Sequence, residues 1–203
     1  MERLNCLGTR QPRIQNEEEY FRSAVLLPVV EKEGGLQILF EVRSSSLNRQ
    51  PGEICFPGGM IEKEEADRPE LAALREASEE LGIEERHIEL IGPLDYIITP
   101  PGALIYPYAG KILRPEELNP NRDEVEQVFT APVEYFLNNP FGKSNTDVAT
   151  RYGPGFPFHK VSSDYTDTWQ KRWSFPVYYC EYGGHFIWGI TARILRNFIE
   201  LCL

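Results

Sequence analysis

Between Gly59 and Ile83 the chain reads GMIEKEEADRPELAALREASEELGI, a glycine-led loop running into a segment of helical periodicity. Pro69 suits a first helical turn, with Asp67 or Arg68 near the cap, and Gly82 suits a helix stop. A helix is therefore expected over Pro69–Leu81. Leu71, Leu74, Ala77, Ser78 and Leu81 recur at spacings of three and four and form its expected buried stripe. Eight acidic residues share the loop and helix, among them Glu62, Glu65, Glu76, Glu79 and Glu80, and the stretch has no cysteine or histidine.

That acid set constrains chemistry as well as shape. Glu76, Glu79 and Glu80 stand at i, i+3 and i+4, on one helical face within about a turn of each other. Like charges at that spacing destabilise a bare helix, and hard divalent cations such as Mg2+ or Mn2+ offset the repulsion. Such ions take oxygen ligands and meet substrate phosphates. Glu62 and Glu65, on the incoming loop, are candidates to complete the shell or to position a water. The alternative is a solvated, charged helix face, which the leucine stripe fits equally well. Gly58-Gly59 permits a sharp turn and close backbone approach to a phosphate or metal. Arg75 is expected to point away from Glu76 and to pair with Glu65, holding the loop against the helix, unless it forms an ordinary surface ion pair.

With 203 residues, 41% of them hydrophobic, the chain suits one α/β domain spanning residues 1–203. Residues 1–19 read as a loose arm or short helix. Ser23–Val30 and Leu36–Val42 read as a strand hairpin, with Pro28 better tolerated at an edge or bulge. Ile54–Phe56, Ile88–Ile98, Ala103–Ile112 and Phe175–Tyr182 read as further strands. A helical piece follows Pro132 and an amphipathic helix follows Trp188-Gly189. Residues 138–172 read as a long irregular connection. Its Phe158, Tyr165, Trp169 and Trp173 either stack on a base or anchor the loop or a dimer interface. A net charge of -10 argues against nucleic-acid binding and leaves a small anionic substrate that reaches the protein through metal ions. Cys6, Cys55, Cys180 and Cys202 form no close pair and match no zinc spacing, so reduced thiols are expected. No run approaches about 18 apolar residues, and no signal-peptide pattern opens the chain. A cytoplasmic, non-membrane protein is the default expectation, with a homodimer left open.

The glycine, acid and arginine positions together resemble the Nudix box: a glycine, five residues, a glutamate, seven residues, then Arg-Glu-x-x-Glu-Glu-x-Gly and an aliphatic residue. Gly59 and Glu65 meet its first part, and Arg75, Glu76, Glu79, Glu80, Gly82 and Ile83 its last. Nine residues, Ala66 to Leu74, separate the two parts, two more than the general pattern. The expansion is similar to that of the coenzyme A diphosphatase branch. Phe56-Pro57-Gly58-Gly59, Glu62 with Glu65, and Ala73-Leu74-Arg75-Glu76-Ala77 match that branch, as do Arg43-Ser44 with Leu47, Phe21 to Pro28, Ile98-Thr99-Pro100, Glu124-Val125 with Phe129, and Trp188-Gly189. Gln50 stands where the branch usually has a histidine.

The resemblance implies a Nudix fold, an α/β/α sandwich with a mixed β-sheet. It implies metal-dependent hydrolysis of the diphosphate of coenzyme A or its acyl forms to 3',5'-ADP and 4'-phosphopantetheine. Glu76, Glu79 and Glu80 would hold the metals, with Gly59 through its carbonyl and Glu65 in support. Glu62 or Glu124 would be the general base. Arg43, Arg49, Gly58 and Gly59 would contact the substrate. Two alternatives stand beside it: another nucleoside diphosphate-linked substrate (NADH, ADP-ribose or a nucleotide sugar), and a Nudix-fold binding module without catalysis.

Overall fold

The computed structural model describes residues 14–202. A mixed sheet runs β3-β2-β1-β7-β5, where β1 is Phe21–Lys32, β2 Gly35–Arg43, β3 Ile54–Cys55, β5 Ile88–Pro93 and β7 Ala103–Ile112. Three shorter or flanking strands join it: β4 (Gly58–Met60) on β1, β6 (Ile97–Ile98) on β7 and β8 (Val125–Pro132) on β2. The pairing of β1 with β7 is parallel, from Phe21 opposite Ala103 to Val29 opposite Lys111. A second, antiparallel sheet runs β11-β10-β9, from His185–Trp188, Gln170–Tyr182 and Gly142–Thr150.

Strand alternation divides the core into two layers. Ala24, Leu26 and Val30 of β1 and Leu39 of β2 pack against Ala72, Ala73, Ala77 and Leu81 of helix α1 (Pro69–Leu81). Leu27 and Val29 of β1 and Ile38 and Phe40 of β2 point to the other face. There they meet Phe136 of α2 (Val133–Asn138) and Ile194, Leu195 and Phe198 of α3 (Gly189–Leu201). Period-two strands between helices on both faces make the α/β/α sandwich that the resemblance implies.

Helix α1 has the expected bounds, and Gly82 caps it in the left-handed region at φ 60°. A Cβ on Gly82 would run into the Asn119 carbonyl, so glycine is required there on two counts. The buried stripe differs from expectation. Ala72, Ala73, Ala77, Glu80 and Leu81 are buried, while Leu71, Leu74 and Ser78 are only half-buried. Small alanines let the helix lie close to β1 and β4, and that rotation carries Glu80 inward.

Three other expectations are revised. Pro28 sits on a central strand, not at an edge. The Leu26 N–H points to the Pro57 carbonyl. By alternation the Pro28 nitrogen faces the same side, where β1 has left β4 after Val25 and not yet met β2 at Val29. The missing N–H therefore faces a gap in the ladder. The single strand expected over Ile88–Ile98 is two, β5 and β6, both on β7. Residues 138–172 are not all irregular, because β9 lies within them and pairs with β10 from Gly142 opposite Tyr179 to Thr150 opposite Gln170. The sequence of β9, GKSNTDVAT, has no apolar alternation, so its partner strand and not its own pattern defines it. The terminal arm expected over residues 1–19 lies mostly outside the described residues, as does Cys6; Glu17–Glu19 form one 3-10 turn.

Candidate active site

The glycine pair of β4 is built into the acidic helix. The Gly58 N–H donates to Glu80 Oε2 at 2.8 Å. A Cβ on Gly59 would run into the Glu76 carboxyl, so any side chain at that position would displace it. Strand β4 therefore lies directly on the carboxylates of α1, as a metal or phosphate cradle requires.

Arg75 ties the loop to the helix. Its Nε donates to Glu65 Oε1 at 2.9 Å and its Nη2 to Glu65 Oε2 at 3.2 Å, while Nη2 also reaches the Met60 carbonyl at 3.2 Å. The Glu62 N–H donates to Glu65 Oε2 at 2.9 Å. Both Glu65 oxygens are thus engaged, and the Arg75 guanidinium holds that carboxyl below the usual carboxylate range. The expectation that Arg75 points away from Glu76 does not hold. Nη1 donates to Glu76 Oε1 at 2.9 Å and to Glu79 Oε2 at 3.4 Å. One planar, five-donor fork bridges three acids because the backbone brings loop and helix together.

The acids differ sharply in environment. Glu79 is 59% exposed. Burial pushes Glu76 up, against the pull of Arg75. Glu80 is only 7% exposed. Burial pushes its carboxyl up to about 7, opposed by the Gly58 N–H and reinforced by the charges of Glu76 and Glu124. Glu62 and Glu124 are exposed, on the loop and just before β8, respectively. The Glu124 charge is felt at Glu76, Glu80 and Glu41. Arg43, at the end of β2, faces Glu41 and Glu80. Arg49 is exposed, and its carbonyl, not its guanidinium, meets Arg43 Nε at 3.4 Å.

Sequence reasoning missed Glu41. It lies on β2, directly opposite Cys55 of β3, and is 1% exposed. Burial, then the Glu80 charge, pushes its carboxyl well above the usual range. The available signal was a glutamate inside the apolar run LQILFEV, two residues after Leu39 and so on the face that packs against α1. Beside Gly58 opens a cavity of about 330 Å³, lined in part by Val25, Arg43, Phe56, Ile105, Trp188 and Ile194. Gln50 lines it too, held at φ 52° with its amide donating to Glu53 Oε2 at 3.0 Å.

Among the described residues no three His, Cys, Asp or Glu side chains are already gathered around a metal position, and Arg75 holds Glu76 and Glu79. The donors nonetheless fit a hard divalent cation. All are carboxylates, the Gly59 cradle leaves the Glu76 carboxyl room, and Glu80 is buried without a cationic hydrogen-bond partner among the described residues.

The NUDIX domain family matches residues 20–152. The chain therefore belongs to the Nudix family, and its fold and acidic helix are those of an enzyme of that family. It is 36% identical over 136 residues to peroxisomal coenzyme A diphosphatase NUDT7 of Mus musculus, covering 67% of this chain and 56% of that protein. This chain thus spans little more than half of that relative. Mitochondrial coenzyme A diphosphatase NUDT8 of Homo sapiens is 30% identical over 182 residues, covering 88% of this chain and 68% of that protein. An uncharacterized Nudix hydrolase, NudL of Escherichia coli (strain K12 / DH10B), is 31% identical over 189 residues, covering 92% of this chain and 86% of that protein.

Proposed function

We propose that the protein hydrolyses the diphosphate of coenzyme A or its acyl derivatives, giving 3',5'-ADP and (acyl-)4'-phosphopantetheine. The observation that carries this reading is the junction of β4 with α1, where the Gly58 N–H holds Glu80 and Gly59 makes room for Glu76. A largely apolar cavity opens beside the same glycine, with Arg43 among its lining residues. The names of NUDT7 and NUDT8 support the choice of substrate.

Glu76, Glu79 and Glu80 would hold Mg2+ or Mn2+, with the Gly59 carbonyl at the edge of that set. The chemistry supplied there by a bound ion is polarisation of the phosphoryl oxygens and neutralisation of developing charge. The protein's own groups do the remaining work. Glu65 serves as a brace, because both its oxygens are engaged by Arg75 and the Glu62 N–H. Arg43 meets a phosphate oxygen at the cavity, while exposed Arg49 fixes Arg43 through its carbonyl. Glu124 takes the proton of the attacking water; its charge is among the main influences on both Glu76 and Glu80. The apolar walls around Phe56, Ile105, Trp188 and Ile194 exclude water from the organic half of the substrate.

A second substrate reading rests on Gln50. Its bond to Glu53 places an amide and a carboxylate on the cavity wall, groups suited to the hydroxyls of NADH, ADP-ribose or a nucleotide sugar. Turnover of a panel of coenzyme A, acetyl-coenzyme A, NADH and ADP-ribose with Mg2+ or Mn2+ tests both. Coenzyme A should give the highest kcat/KM, and a preference for NADH or ADP-ribose would replace the first reading by the second.

A further inference from the structure

Among the described residues Glu41 has no cationic hydrogen-bond partner, and a side chain within hydrogen-bond reach of it is another acid, Glu80. Among the described residues its Oε1 is buried with no hydrogen-bond donor, and its Oε2 accepts from the Cys55 thiol at 4.0 Å. A thiol is a weak donor and that distance is long. The nearest charges are mostly of its own sign, Glu80 from α1 and Glu124 from the segment before β8. Arg43, two residues further along β2, is the positive group that faces it, yet its Nε bonds to the Arg49 carbonyl.

A buried carboxylate of this kind is costly unless it is paired or coordinates a metal. Packing does not require it. Leu39, two residues earlier on the same strand face, fills its place with an aliphatic side chain that is itself fully buried. The carboxylate also stands at one place in the fold, where β2 brings it against Glu80, the acid that the Gly58 N–H orients.

We propose that Glu41 is a ligand for a hard divalent cation, forming with Glu80 a strand-to-helix carboxylate pair that extends the metal site beyond the acidic helix. The cation supplies the positive charge that the protein withholds from Glu41, and the two carboxylates supply it with oxygen ligands, with waters completing the shell. The inference rests on the metal-dependent reading above and adds a residue from outside the glycine-loop and α1 segment.

The test is Mn2+ binding by titration calorimetry on the full chain, wild type against Glu41→Gln, with thermal unfolding in chelator and in saturating Mn2+. Mn2+ affinity should fall on the order of tenfold or more. In chelator the variant should unfold at the same or a higher temperature than wild type, because a neutral amide replaces an acid buried against the like-charged Glu80. The rise in Tm on adding Mn2+ should shrink. Mn2+ affinity within about twofold of wild type, or a variant clearly less stable in chelator, would overturn the proposal and make Glu41 a structural residue. Glu41→Leu, matching Leu39, repeats the test with no polar atom. Coenzyme A hydrolysis measured alongside separates the two readings. Wild type that binds Mn2+ through Glu41 yet leaves coenzyme A intact removes the substrate assignment and keeps this inference. Wild type that hydrolyses coenzyme A while Glu41→Gln binds Mn2+ normally does the reverse.

Discussion

Glu65 and Glu80 lie about one helix length apart in sequence and belong to the same acidic stretch, yet the fold treats them in opposite ways. Glu65 is held by Arg75 and the Glu62 N–H, and its carboxyl is pulled down. Glu80 is buried with one backbone N–H, and its carboxyl is pushed up. The first is a finished structural contact. The second, with Glu41 behind it, is a buried acid with no cationic hydrogen-bond partner among the described residues, and is where the proposed cation would bind. Acids of identical chemistry are thus divided by their neighbours into brace and site, and substitutions that treat them differently test the division.

The largest effect is expected at Glu80. Glu80→Gln should lower magnesium-dependent kcat/KM for coenzyme A on the order of 10³-fold, with folding retained by circular dichroism, because the amide keeps the shape and loses the charge. Gly59→Ala comes next, since its methyl displaces the Glu76 carboxyl. A loss on the order of 10²-fold in kcat, with little change in KM, is the expected cost of that misplacement. At the brace the balance inverts. Arg75→Ala should destabilise the protein by about 1–3 kcal/mol in urea unfolding, because charged hydrogen bonds to Glu65 and Glu76 are lost together.

The pH dependence follows from Glu80 in the metal-free protein. Its folded pKa of about 7 lies above the ordinary value of 4.5. The folded state therefore keeps a proton that the unfolded state gives up between those values. Stability from this group is complete below 4.5 and is lost as pH rises through about 7. In chelator, Tm should fall over that window, and Glu80→Gln should flatten the fall. The smallest effect is expected at Glu62, which is exposed and is not among the main influences on Glu76 or Glu80. Glu62→Gln should change kcat less than about threefold, and Glu124→Gln more than that.

What the sequence discloses follows from where its signals are local. Helix α1 is legible to the residue because Pro69 and Gly82 act within one turn of its ends. Fold class, the close backbone approach at Gly58-Gly59 and the Arg75–Glu65 pair are legible for similar reasons, although the two glycines stand on strand β4 and not in the expected turn. Strand β9 is not, since its polar residues are ordered by β10 and carry no alternation of their own. The rotation of α1 is misjudged because leucines predict the buried face, whereas close packing on β4 selects alanines. The loop aromatics illustrate the same limit. Phe158 and Tyr165 pack with Tyr152 inside the loop, with ring centroids 6.1 and 5.8 Å away, whereas Trp169 remains 68% exposed. Glu41 is the instructive omission. A lone glutamate in a strand reads as a solvent-facing residue until β2 is seen beneath α1.

The most direct test of the account is product analysis after incubating the full chain with coenzyme A and Mg2+ or Mn2+. Formation of 3',5'-ADP and 4'-phosphopantetheine in equal amounts, abolished by chelator and by Glu80→Gln, is the predicted result. Intact coenzyme A under the same conditions, or products unaffected by Glu80→Gln, would contradict it.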